Sequence, residues 1–395
     1  MILGASILQL PAIKKANEMG LVPVVVDMNP HAIGFSEPNI VKEVISTIDT
    51  KKILEAAKRN KIDGIMTLAT DMPMRSVAVV SHALGLVGIS EDCAFKATNK
   101  AAMRDALKSA GVPIPLFFKV STFDECRDAV RHITEKGYKC ITKPVDSSGS
   151  RGIDLLKDYS EETVARAYAY SNENSCTGEV MVEEFMEGPE VSVETMAIDG
   201  EIHVLQITDK ITTGAPYFVE MGHTQPSRLS VDIQMKIKEV AIAANKAIGI
   251  TNGPSHTEIK VTKDGPKIVE LGARMGGDCI TTHLVPLSTG IDMVKCCIQI
   301  AIGEIPDLTP KFSKGSAIRY FEQPYGKIIS IDGVDEIKNM PGVYEVEIVH
   351  GVGETVGEVK GSGDRIGFVI AQANNADLAA KEADTACSQL EIQTL

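Results

Sequence analysis

The 395-residue chain has no C-x-x-C pair; its eight cysteines are scattered at positions 93, 126, 140, 176, 279, 296, 297 and 387. That spacing argues against a zinc knuckle or a thioredoxin-type site, and the thiols read as reduced ones in a cytoplasmic protein. No apolar run approaches the roughly 18 residues of a membrane span, and no basic leader precedes the opening MILGASILQL. A membrane partner and export are therefore not expected. Positive charge is in deficit, with 40 Lys and Arg against 53 Asp and Glu, a net of −13. Nucleic acids are held by net positive surfaces, so such a partner is not expected either. A small polyanion remains compatible, because a few local cations suffice. There is no repeat of solenoid period and no low-complexity linker. At 44% hydrophobic and 24% charged residues the composition is ordinarily globular, and the length suggests roughly two to four domains.

What is present begins with an alternation of strand and helix signals over residues 1–95. Ile2–Leu3 leads into Gly4-Ala5-Ser6 and an amphipathic stretch carrying Leu8, Ile13, Ala16 and Met19. Strands are expected at Leu21–Asp27, Gly64–Leu68 and Leu86–Gly88, with helices at Thr50–Lys58 and Met74–Leu84. This pattern predicts an α/β unit with a doubly wound parallel sheet. The Gly4 turn resembles a nucleotide loop but falls far short of G-x-G-x-x-G, and it reads as plain strand-to-helix geometry. Beyond a boundary near residue 95, a helix over Lys100–Ala110 stops at Gly111, with Pro113 and Pro115 following. The texture from Glu179 to Leu271 is strand-rich, broken by a helix at Ile233–Ile248. Another helix, Met293–Ile302, closes this region, and short strands ending in a helix at Ala376–Leu390 complete the chain.

Three constellations carry chemistry. The first is Thr257-Glu258-Ile259-Lys260-Val261 and Lys267-Ile268-Val269-Glu270-Leu271, joined through Asp264-Gly265, a hairpin signal. Pairing Val261 with Lys267 sets Ile259 against Val269 and Glu258 against Glu270, apolar residues on one face and both carboxylates on the other. Like charges about 5 Å apart at an effective dielectric near 20 repel by roughly 3 kcal/mol before screening. A divalent cation such as Mg²⁺ would remove that penalty; an exposed face offset by Lys260 and Lys267 is the alternative. Arg274 follows four residues later, then Gly276 and Gly277: a planar cation and bare backbone suited to phosphoryl chemistry, or a strand-end turn with a solvated Arg. The second constellation is Lys143-Pro144 followed by Asp146-Ser147-Ser148-Gly149-Ser150-Arg151-Gly152. It is not a Walker A loop, but it offers hydroxyls and N–H groups to phosphates and would suit a lid; a hairpin loop beside a surface Lys is the bland alternative. The third runs from Val182-Glu183-Glu184-Phe185-Met186 through Gly188-Pro189-Glu190 to Glu194. It reads as an extended hinge flanked by acids, or as an acidic edge strand.

In this order the three constellations resemble the ATP-grasp superfamily over nearly the whole chain, and most closely its carboxylate–amine ligases of the L-amino-acid (dipeptide) ligase type. The resemblance implies an N-terminal domain over 1–95, a central ATP-grasp fold of two α+β subdomains over 96–305, and a small α+β domain of biotin-carboxylase type over 306–395. It assigns Lys100 and Lys143 to ATP phosphates and Ser147, Ser148, Gly149, Ser150 and Gly152 to the flexible loop. Glu183 would meet the adenine amine, Glu184, Phe185 and Met186 form the hinge, and Glu190 hold the ribose. Glu258 and Glu270 would ligate Mg²⁺, with Mn²⁺ as a substitute. Arg274 would stabilise the acyl phosphate, with Lys143 also catalytic, while His223, His256, Gly276 and Gly277 stand on the substrate side; either histidine reads equally as structural. Many family members carry Asn two residues after the second metal Glu, where this chain has Gly272, so one metal is expected, with a second held differently or more weakly as the alternative. The resemblance also points to a homodimer.

The implied reaction activates a small-molecule carboxylate as an acyl phosphate, which an amine then attacks, releasing ADP and phosphate. Alternatives are a purine-pathway enzyme of the phosphoribosylamine–glycine ligase or carboxyaminoimidazole type, a biotin-carboxylase-like subunit, or a non-catalytic nucleotide-binding module. The first would want cations for a ribose phosphate, and the 217–228 stretch offers only Arg228. The second would work with a biotin carrier, and no Met-Lys-Met sequence occurs.

Overall fold

A computed structural model describes residues 1–147 and 151–395. The alternation at the N-terminus folds into a four-stranded parallel sheet, ordered Val41–Val44, Val24–Asp27, Ile2–Leu3, Met66–Thr67. Successive side chains enter different cores. Ile2 and Val25 pack with the helix Leu10–Glu18, whereas Leu3 and Val26 pack with the helices Thr50–Asn60 and Pro73–Leu84. Helices on both faces make the sheet doubly wound, as expected. Leu86–Gly88 is not a strand, and Val41–Val44, whose exposure merely alternates, is one. The Gly4 turn (φ +102°) is occupied by protein: a Cβ there would lie 2.7 Å from the Gln9 side chain, and Gln9 Nε2 donates to Leu68 O at 2.6 Å.

A second, smaller layer is the antiparallel sheet Phe117–Val120, Val180–Glu184, Cys140–Pro144, Asp154–Leu155. Helices Phe123–Glu135 and Glu161–Glu173 cover it, and the first starts at a reciprocal Thr122/Glu125 capping box.

The main platform is an eight-stranded sheet with antiparallel pairings. Its order is Gly265–Gly272, Gly253–Thr262, Glu190–Ile198, Glu201–Thr212, Glu220–Gln225, Gly315–Tyr320, Gly367–Ala373, Val343–Ile348. The last three strands come from the C-terminal segment, joined through Gly222 opposite Arg319. Hydrogen bonding is therefore continuous across residue 305. Helix Val231–Ile248 backs the sheet, burying Ile237, Ala241, Ala244 and Ile248 at helical spacing. Helix Ala376–Cys387 packs an alanine stripe (Ala379, Ala383, Ala386) against the C-terminal strands. Among the described residues no single helix is long and apolar enough to cross a membrane.

Candidate active site

The hairpin Gly253–Thr262/Gly265–Gly272 turns on Lys263-Asp264, with Thr262 opposite Gly265. This tight turn corrects the expected register beside it: Ile259 faces Ile268, and Val261 faces Pro266. A bulge between Glu258 and Ile259 absorbs the one-residue difference, so Glu258 still lies directly opposite Glu270. The bulge also exchanges Val269 for Ile268 on the core side, where Ile259, Ile268 and Leu271 are fully buried. Val269 instead lends its carbonyl to Arg104 Nη2 at 2.7 Å.

Both carboxylates are engaged by cations. Glu258 Oε1 accepts from Lys210 Nζ at 3.1 Å and faces His256 Nε2 at 3.4 Å. Lys210 also bonds Glu190 at 2.7 Å and lies 3.5 Å from Glu220. Burial opposes charge on Lys210, but Glu258, Glu190 and Glu220 outweigh it and raise its pKa well above the usual value. Burial likewise works against Glu258, yet Lys210 and His256 hold its carboxyl well below the usual range. His256 Nδ1 meets the buried Glu194 at 2.7 Å. Desolvation would lower its pKa; Glu194 and Glu258 lift it to about 9.

Glu270 Oε1 lies 3.1 Å from Lys100 Nζ, which donates to Ser147 O at 2.6 Å. Lys100 opens the helix Lys100–Ser109, whose first turn is capped by the Asn99 side chain. Asp71, Lys100, Asp146, Ser147 and Glu270 line one solvent-open cleft. Deeper, Glu183 accepts from Arg104 (2.7 and 3.1 Å) and pairs with Lys143 at 2.6 Å. Burial pushes Glu183 upward, and the two cations overcome it, taking the carboxyl down to about 2. Lys143 is under-compensated. Burial lowers its pKa; Glu183 opposes the shift, and Arg104 and Lys100 add to it. An anion near Lys100 and Lys143 would relieve that strain, which is the electrostatic profile of a phosphate site.

The remaining expected residues divide. Glu184 is held by Lys267 and by Leu116 N–H, and the Phe185 N–H is spent on Lys139 O. Phe185 lies 6.0 Å from the Phe218 ring, and Met186 is buried. Glu190 bridges Lys210 and Lys260. His223 stands apart from the paired glutamates, against Asp278 at 3.3 Å, with its buried Nδ1 unpartnered among the described residues. Gly276 has to be bare, because a Cβ there would lie 2.6 Å from His256 Nδ1; at Gly277 the nearest atom would be Ala69 Cβ at 3.8 Å. Gly152 (φ +75°) packs on Pro144 and Asn174. Ser148, Gly149 and Ser150 lie outside the described residues.

Sequence reasoning missed four partners, Asp71, Arg104, Lys210 and Arg365, and named Glu194 among the ligand-side acids without its partner His256. Asp71 grips Arg274 with two bonds, 2.8 and 3.1 Å. Arg365 forks onto Asp278 at 2.8 and 3.1 Å and stacks on Tyr320 at 3.6 Å. A usable signal existed for Lys210 alone, since the acids of this face need a cation and few lysines sit within predicted strands.

Residues 136–282 match the model of the ATP-grasp domain, and residues 319–394 match L-amino acid ligase C-terminal domain 2. The chain thus carries an ATP-grasp domain followed by an L-amino acid ligase C-terminal domain. An L-arginine-specific L-amino acid ligase of Bacillus subtilis is 26% identical over 324 residues, covering 80% of this chain and 76% of that one. An uncharacterized protein of Sinorhizobium fredii is 29% identical over 311 residues, covering 78% of this chain; this ATP-grasp chain spans only 63% of that protein's length. The fold is shared with a crystal structure of the L-amino acid ligase from Bacillus licheniformis, at TM-score 0.83 and 23% identity, covering 100% of this chain and 98% of that one.

Proposed function

We propose that this ATP-grasp ligase activates the carboxylate of one amino acid as an acyl phosphate and passes it to the amine of another. The observation that carries the reading is the opposition of Glu258 and Glu270 beside Lys100 and Arg274. In support, two half-buried carboxylates share one strand pair, each with one oxygen on a protein cation. Such a pair fits a hard divalent ion that takes its other ligands from nucleotide phosphates and water. When bound, Mg²⁺ would neutralise charge on the phosphates. Lys100 and Lys143 would hold the phosphate oxygens, Glu183 keeping Lys143 in place. Glu190, anchored by Lys210 and Lys260, would take the ribose, and Phe185–Met186 would line the adenine. Arg274 would meet the oxyanion at acyl transfer, a role of positioning and electrostatics. The C-terminal match favours amino acids as substrates over a ribose phosphate or bicarbonate.

The test is Mg²⁺-dependent ADP release with amino-acid pairs, with glycine plus phosphoribosylamine, and with bicarbonate. Stimulation by an amino-acid pair, with a dipeptide seen by mass spectrometry, is expected. Stimulation by either other set alone would replace the reading.

A further inference from the structure

Arg274 is held from far along the chain. Asp71 lies in the segment following the strand Met66–Thr67, at the rim of the N-terminal parallel sheet and 203 residues from Arg274 in sequence. Its two carboxylate oxygens accept from Nε (2.8 Å) and Nη2 (3.1 Å), a parallel fork. A third N–H, on Nη1, donates to Met275 O at 3.3 Å. A guanidinium has five N–H groups, so one remains on each terminal nitrogen. The guanidinium also sits close enough to Glu258 and Glu270 for both to stabilise its charge.

Gly272 makes the fork feasible. A Cβ at that position would come 2.8 Å from Asp71 Oδ1 and 3.2 Å from Arg274 Nε. The residue that departs from the common Asn is thus the one that clears room for the Asp71 carboxylate. Asp71 shares its cleft with Lys100, Ser147 and Glu270, so the N-terminal sheet forms one wall of the same site.

We propose that Asp71 is a positioning residue for Arg274: it clamps the Nε/Nη2 edge so that the two remaining N–H groups present a fixed pair of donors to the oxyanion of the substrate. Gly272 provides the space for that clamp. The proposal rests on the ligase reading above.

The test is a double-mutant cycle of Asp71→Asn and Arg274→Lys, with Gly272→Ala alongside. Read-outs are kcat, KM for each substrate, and ADP released per amide bond formed. Misplacing a reacting group by an ångström costs on the order of 10²-fold in rate. Asp71→Asn should therefore lower kcat by about that factor while KM for ATP stays within about twofold, and ADP per product should rise. Gly272→Ala should reproduce the defect, because its Cβ displaces the carboxylate. In the Arg274→Lys background Asp71→Asn should add little, since coupled groups are non-additive. Losses that multiply, or an Asp71→Asn enzyme within about twofold of wild type, would overturn the proposal. The ¹⁵N resonance of Arg274 Nε–H provides a reading independent of turnover. It should exchange slowly in the wild type and rapidly in Asp71→Asn, and an unchanged exchange rate would refute the clamp. Should the wild type release no ADP with any amino-acid pair, the ligase reading fails while this resonance still decides the clamp.

Discussion

Replacing Lys210 with Met removes a single cation from among Glu190, Glu220 and Glu258, at 2.7, 3.5 and 3.1 Å. At an effective dielectric near 20, the two nearer contacts are each worth about 5–6 kcal/mol of Coulomb energy, an upper bound before desolvation. Removing one partner of a buried pair usually costs about 3–5 kcal/mol, because the other charges are left uncompensated. Lys260 still neutralises Glu190 and His256 still faces Glu258, so the lower end, about 3 kcal/mol, is expected. The pH dependence follows from the signs. In the wild type Glu258 titrates well below its usual value, so its stabilising contribution is present above the unfolded pKa and fades as pH falls through the folded one. In Lys210→Met that cation is gone, so the carboxyls take up protons at higher pH than in the wild type, and the gap between the two proteins should narrow as pH falls. Urea unfolding monitored by circular dichroism between pH 5 and 8, without divalent ions, measures this. A loss below about 1 kcal/mol at pH 8, or a gap indifferent to pH, would refute the charge balance described for this face.

Glu183 has its carboxyl depressed to about 2, so its contribution is full above about 4.5 and lost as pH falls toward 2. Glu183→Gln should be less stable at pH 7, with the difference shrinking through that window; acid-unfolding curves check it. Gly188 has φ +136°, and a Cβ there would lie 2.0 Å from Val261 O. Gly188→Ala should therefore lose at least about 1–3 kcal/mol, and an unchanged melting temperature would contradict the packing of the hinge against the hairpin. Burial pushes the thiols of Cys93, Cys126, Cys140 and Cys297 up to about 12, whereas Cys176 is exposed. At pH 8 a thiol reagent should label Cys176 rapidly and leave those four intact, as peptide mapping would show.

Legibility tracked sequence separation. The doubly wound sheet and the main helices follow from local periodicity, and the Glu258–Glu270 pair follows because a hairpin fixes its partners within a dozen residues. Even there the register beside the turn was misread: the turn is tighter than the Val261–Lys267 pairing implied, and the bulge at Val269 restores the Glu258–Glu270 opposition. The ion partners could not be read this way. Arg104 meets Glu183 across 79 residues, Lys210 meets Glu258 across 48, and Asp71 meets Arg274 across 203. No periodicity reports which strands become neighbours when the pairings skip across the sequence, as in the eight-stranded antiparallel sheet. The same limit hid the C-terminal contribution, since Arg365 reaches Asp278 only because Gly315–Tyr320 pairs with Glu220–Gln225. Glu183 shows the converse: its acid character ahead of the expected hinge was readable, but its commitment to Arg104 and Lys143 depends on a helix and a neighbouring strand.

The most direct test of the central claim is Mg²⁺ titration of ADP release by Glu270→Gln beside the wild type, at saturating ATP and a productive amino-acid pair. Losing one of two carboxylate ligands should raise the Mg²⁺ requirement by on the order of tenfold or more and depress maximal turnover. An unchanged Mg²⁺ dependence at wild-type turnover would show that this carboxylate does not hold the metal.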